Sequence, residues 1–161
     1  MMFHLRRKDK EISDVGVLRK VLRSARFVTV AMCMGDQPYL VSLSHGYDEK
    51  RNCLYFHCAA EGKKLVFLNA NNTVWGQAIL DYGYVEGECD HRYACVHFSG
   101  KVHFIASLDE KRLAVECMIR QLDKNPEALI AKLSAERLGK VVIGRIDISY
   151  LSGKKSEDVS V

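Results

Sequence analysis

From Ala25 onward the chain reads as short stretches in which apolar and polar residues alternate, separated by turns and by segments whose apolar residues return at helical spacing. Val15, Leu18 and Leu22 form the first helical set, and Ser13 or Asp14 before them can cap it. "ARFVTVAMCM" (25–34) is rich in β-branched residues and closes at the turn "GDQP" (35–38), which predicts a strand. In the next strand, 39–47, Leu40, Ser42 and Ser44 fall on one side and Val41, Leu43 and His45 on the other. The polar connection "DEKRN" (48–52) makes "CLYFHC" (53–58) a third, antiparallel strand.

A helix is expected to start near Lys63, and "NNTVWGQAILDY" (71–82) to form a fourth strand. Residues 84–91 read as a loop. Between 93 and 104, Ala94, Val96, Phe98, Val102 and Phe104 alternate with polar neighbours, the pattern of a half-buried strand bent at Gly100. Ser107 and Glu110 have the spacing of a capping box for a helix through Leu122. "NPEALIAKL" begins another helix, with Asn125 as cap and Pro126 at its first position, and "KVVIGRIDISYL" (140–151) is a sixth strand. Strands joined mostly by short turns do not alternate with helices as a parallel sheet requires. The expectation is a mainly β protein, a six-stranded antiparallel barrel with peripheral helices, forming one domain over residues 1–161.

Composition narrows the function. The 161 residues are 48% hydrophobic, enough for one core. A formal charge of +4 is spread among both signs, apart from clusters at 4–10 and 152–156, which argues against a nucleic-acid footprint. No apolar run reaches the ~18 residues of a membrane span. The charged N-terminal residues do not resemble a signal peptide. The six cysteines are scattered through apolar segments. Reduced thiols in a cytoplasmic protein are therefore expected rather than a disulfide framework.

Three groups of residues carry candidate chemistry. Lys63 and Lys64 follow Gly62 where a strand hands over to a helix, and with the free N–H groups of the first turn they suit a phosphate. Taken alone, the local sequence favours the plainer reading of a solvated helix start, and neither a Walker loop nor a dinucleotide fingerprint is present. His57 ends the third strand immediately upstream, as a hydrogen-bond or proton donor or as a residue of the barrel wall. Cys89, His91, Cys95 and His97 match no common zinc spacing, so buried thiols are the stronger reading.

The order "YLVSLSHGYDEKRNCLYFHCAAEGKKLVFLNANN", the strand around "VWGQA", then "YACVHFSGK" and "ISYLSGKKS", resembles the flavin-binding split β-barrels related to pyridoxamine 5'-phosphate oxidase, and within them the nitroimidazole-resistance group. "FHCAAEGKK" is the most specific part. The resemblance implies FMN, with its phosphate at Lys63 and Lys64, Val41, Ser42 and Leu43 running along the ring and ribityl chain largely through backbone groups, and Phe56 and His57 flanking it. Cys95 stands where relatives place a small or amide side chain near the flavin, and His57 matches an active-site histidine of the nitroimidazole-resistance group. Leu40 and His45 replace an arginine and a lysine of the pyridoxamine phosphate oxidases, which points away from vitamin B6 chemistry.

The implied activity is reduction of a small electron acceptor, with a nitroaromatic as the group's signature substrate. A flavin shared between subunits implies a homodimer, with Trp75, Tyr93 and the segment 82–91 contributing to its cleft. Other classes open to the same residues are a non-enzymatic haem, deazaflavin or flavin binder, and a metal or redox sensor using the thiols.

Overall fold

The computed structural model describes residues 5–161; His4 of the N-terminal basic cluster lies outside the described residues. Helix α1 (Val15–Ser24) leads into strands β1 (Phe27–Met34), β2 (Gln37–Ser44), β3 (Gly46–Asp48) and β4 (Cys53–Cys58). Helix α2 (Lys63–Ala70) precedes two long strands, β5 (Thr73–Val85) and β6 (Asp90–Phe104). Three helices, α3 (Leu108–Leu122), α4 (Pro126–Ile130) and α5 (Ala135–Lys140), lead to β7 (Val142–Lys155). All pairings are antiparallel, in the order β2-β1-β5-β6-β7-β4-β3 among the described residues.

The expected six strands are thus seven. The second expected strand divides at His45, where the chain leaves β1 (Phe27 opposite Ser44) and joins β4 (Gly46 opposite Tyr55). His45 fixes this corner: its ring is buried and its Nε2 lies 2.9 Å from the Leu22 carbonyl, while Gln121 of α3 accepts the Tyr47 N–H at 2.8 Å. The expected loop at 84–91 is instead the end of a β5–β6 hairpin, with Tyr84 opposite His91 and Val85 opposite Asp90. Positive φ at Gly83 and Gly87 lets that hairpin turn where the sequence shows no strand pattern. The helix begun at Pro126 stops at Ile130, and α5 follows as a separate element capped by Ser134.

The core lies inside the barrel. Val28 and Val30 of β1, Leu43 of β2, Leu54 and Phe56 of β4, and Ala94, Val96 and Phe98 of β6 all point into it, and α1 adds Leu18, Val21 and Leu22. Two cross-strand pairs set its width: Phe98 lies over Gly76, and Phe56 over Gly144, so that a Cβ at either glycine would overlap the facing ring. The bend expected at Gly100 is present as a register shift between β6 and β7. A second, smaller core joins Cys53, Tyr55 and Ile143 on the outer face of the barrel to Ala114 and Met118 of α3. Ser107 caps α3, but the Glu110 carboxylate is drawn away from a capping box to Arg145 of β7, at 2.5 Å. Arg145 also bonds Asp147 at 2.8 Å, and the two carboxylates hold its guanidinium charge above the ordinary arginine range.

Gly144→Ala is expected to destabilise the fold by about 1–3 kcal/mol through overpacking against Phe56, measured as a lower urea midpoint with an unchanged slope. Burial holds His45 below its ordinary value of 6.5, with the Leu22 hydrogen bond opposing, and His97 shifts the same way through burial and Lys154. The unfolded chain takes up these protons as pH falls through 6.5 while the folded chain resists. Stability present above that pH is therefore lost on acidification toward the folded values. Thermal melts from about pH 7.5 to 5.5 should fall, and His45→Gln should flatten the slope.

Candidate functional site

Among the described residues no ladder joins β2 to β4, although β2 approaches β4 at one side of the barrel. This is the seam at which the barrel is split. β3 covers β4 only from Cys53 to Tyr55, so the edge of Phe56, His57 and Cys58 facing away from β7 is left unpaired among the described strands. Continuing the register of Gly46 opposite Tyr55 sets Ser44 across from His57, and Ser42 and Leu40 alongside the loop that leads to α2.

Each expected site residue can now be placed. Val41 and Leu43 turn their side chains toward the core, leaving backbone groups at the seam; Ser42 is exposed, its hydroxyl 3.2 Å from that of Thr29. Phe56 is also a core residue, 2% exposed, with its ring turned inward beneath the Lys64 ammonium, so what it presents to the seam is mainly its backbone. His57 points the other way, outward beside α3, and is exposed. Among the described residues neither of its ring nitrogens has a hydrogen-bond partner.

The lysines occupy the opposite end of the seam. Gly62, at φ 134°, is the N-cap of α2 and contributes no side chain to it, so the Lys63 and Lys64 N–H groups stay uncapped while the Leu65 N–H donates to the Gly62 carbonyl at 3.0 Å. The Lys63 Nζ rests 4.7 Å from the centre of the Tyr39 ring on β2 and 5.5 Å from that of Phe67, and the Lys64 Nζ lies 5.5 Å from the Phe56 ring. No carboxylate pairs with either ammonium among the described residues. α2 also lacks an acidic residue in its first turn, so two cations and the positive end of the helix dipole stand together uncompensated. An anion relieves that arrangement.

Cys95 is not part of this group within one protomer. It sits on β6, separated from β2 by β5 and β1 and from β4 by β7. Its neighbours Ala94 and Val96 enter the core, while its thiol receives a hydrogen bond from Gln77 at 2.9 Å and lies 3.8 Å from His97. Burial raises the Cys95 thiol, and the Cys53 and Cys117 thiols are pushed up to about 11 for the same reason. All six cysteines are unpaired. Among the described residues no cluster of three or more His, Cys, Asp or Glu has the geometry to hold a metal ion.

Sequence reasoning missed a cleft of ≈ 400 Å³ between α3, α4 and the end of β4, with His57 and Ser44 at one end. The helical spacing of Val115, Met118 and Leu122 marks an apolar face on α3, but nothing in the chain indicated how α4 would be set against it.

Comparison with known proteins agrees with this architecture. The family model for pyridoxamine 5'-phosphate oxidase matches residues 14–155. A proposed 5-nitroimidazole antibiotic resistance protein of Bacteroides thetaiotaomicron superposes with a TM-score of 0.76 at 26% identity, covering 89% of this chain and 85% of that one. A FAD and heme binding protein of Mycobacterium smegmatis gives 0.77 at 18% identity, covering 94% and 76%. A flavocytochrome of Azotobacter vinelandii gives 0.79 at 13%, covering 98% and 74%. The last two likenesses establish shared fold alone. The comparison with curated proteins gives no match.

Proposed function

The chain belongs to the pyridoxamine 5'-phosphate oxidase family, and from that premise we propose that it is an FMN-binding flavoprotein that reduces a small acceptor, of nitroimidazole or nitroaromatic type, at the interface of a homodimer. The observation that carries this reading is the pair of ammonium groups, Lys63 and Lys64, standing without carboxylate partners at an uncapped helix start beside the open seam. That donor set fits a phosphate monoester, whose charge the dipole and the lysines balance together. The seam fits the rest of a mononucleotide, because Val41, Leu43 and Phe56 keep their side chains in the core and offer backbone groups to a flat ligand.

Bound flavin supplies one- or two-electron redox chemistry, and the protein's part is to bind, orient and shield. Lys63 and Lys64 would hold the phosphate. β2 would align the ring through its backbone. His57, with ring nitrogens unengaged among the described residues, would orient a substrate or pass it a proton.

Exposed apolar side chains on the outer face and hairpin support the homodimer: Trp75, whose ring lies 5.5 Å from Tyr150, Ile79, Tyr82 and Tyr84. A second copy covering them would bring the Cys95 face toward a flavin in the neighbouring seam. Unpaired cysteines favour a reducing, cytoplasmic setting; no helix among the described residues is long and apolar enough to cross a membrane. The pairing of flavin with heme in the names of two similar structures supports a second reading, a haem or flavin carrier without turnover. A Soret band after haem addition, with no flavin uptake, would select it.

Replacing Lys63 and Lys64 together by Ala should weaken FMN by about 100-fold or more, at ~1.5–3 kcal/mol for each of two charge-assisted hydrogen bonds, and leave riboflavin nearly unchanged. Fluorescence titration of both flavins checks this, and equal weakening would show that the lysines do not read a phosphate. His57→Ala should retain flavin but lose about 100-fold or more in turnover, measured by stopped-flow reoxidation with a nitroaromatic acceptor. Unchanged rates would remove its catalytic role.

A further inference from the structure

The cleft beside α3 has a chemistry of its own. Its walls are aliphatic: Val115, Met118, Ile119 and Leu122 from α3, Leu129 from α4, and Val141 before β7. Its polar atoms gather at Ser44 and His57 where it meets the seam, and at Asp123, the C-cap of α3. Among the described residues the Ser44 hydroxyl and both His57 ring nitrogens lack partners, so this end can both give and receive a hydrogen bond. Asp123 is the one charged wall residue; its Oδ1 accepts the Asn125 N–H at 2.7 Å, which fixes the carboxylate in place. A space of ≈ 400 Å³ lies in the range of small-molecule sites.

We infer that the cleft between α3, α4 and the end of β4 binds a neutral one- or two-ring apolar compound carrying a single polar substituent, with that substituent at Ser44 and His57 and anionic analogues turned away by Asp123. The aliphatic walls take up the ring surface, and Asp123, the one carboxylate of the wall, disfavours a carboxylate or sulfonate lodged in the cleft. The lysines that serve the phosphate do not line this cleft, so the two sites differ in the charge they select. Because Ser44 and His57 belong to both seam and cleft, a molecule lodged here lies next to the proposed flavin site. That adjacency rests on the flavin reading; the binding itself does not.

The test uses the purified full chain, with 2-naphthol as the neutral probe and 2-naphthoate as its anionic counterpart. Calorimetric titration should show saturable 2-naphthol binding, at least fivefold tighter than 2-naphthoate, and Asp123→Asn should narrow that ratio. With methyl-labelled methionine, the Met118 signal should move on addition of 2-naphthol while that of Met32, buried inside the barrel, stays in place. Leu129→Trp, a substitution at an exposed position, should lower 2-naphthol affinity at least tenfold while FMN uptake, followed by absorbance, is retained. Saturating FMN should change 2-naphthol affinity by less than about threefold. Absence of saturable binding, a stationary Met118 signal, full affinity in Leu129→Trp or direct competition with FMN would each overturn the inference. Tighter binding of 2-naphthoate would overturn its charge selectivity. A chain that binds 2-naphthol but no flavin would uphold the cleft and refute only the flavin reading.

Discussion

β2 makes its ladder with β1, and at His45 the chain turns away to pair with β4 as β3, so β2 and the end of β4 face one another unpaired. That missing ladder is the constraint on which the site depends. A closed barrel would have no backbone edge to present, because each strand would be engaged on both sides. The split leaves an edge lined by backbone groups whose own side chains, Val41, Leu43 and Phe56, are retained by the core. The corner is held by polar contacts inside the protein, with His45 against the Leu22 carbonyl and Gln121 spanning α3, the Tyr47 N–H and the end of α1. The fold therefore supplies rigidity at the turn and openness directly beside it.

Charge is arranged along the same seam. Several arginines near the surface have an acidic neighbour: Arg19 and Arg23 share Glu49, Arg51 pairs with Asp48, and Arg145 with Glu110 and Asp147. Lys63 and Lys64 instead rest on aromatic faces at an uncapped helix start. An aromatic face holds an ammonium group in place without neutralising it, which suits a site that must stay ready for an anion. The neighbouring cleft, with one carboxylate and aliphatic walls, carries the opposite charge. A single outward residue, His57, stands between the two.

Much of this was legible in the chain, for physical reasons that differ by element. Alternation placed the faces of β2 and most of β6, because a half-buried strand must show period two. Asp14 and Ser107 marked helix starts because their side chains meet orphan N–H groups there. Short elements were not legible: β3 has three residues, too few for a period, and exists because its partner β4 was already in place. The hairpin at 84–91 was hidden because its residues are exposed on both faces, so no burial pattern was written into them. Phe56 is the instructive site residue. The resemblance set it with His57 flanking the cofactor; in the fold, consecutive strand residues point to opposite faces, and Gly144 across the ladder makes room for the Phe56 ring inside. Phe104 ends the alternation of β6 yet is exposed, since the core stops at Val102. The cleft beside α3 depends on how α3, α4 and the end of β4 are set against one another, a tertiary arrangement that no local pattern encodes.

The central claim is that the seam and the start of α2 together receive a mononucleotide whose phosphate is neutralised by Lys63 and Lys64. A crystal structure of the chain grown with FMN tests this directly. The account predicts electron density for the phosphate against the Nζ atoms of both lysines and the first N–H groups of α2, with the ring along Val41 to Leu43. Flavin density whose phosphate points to solvent or to any other surface, with both lysines still resting on Tyr39 and Phe56, would contradict it.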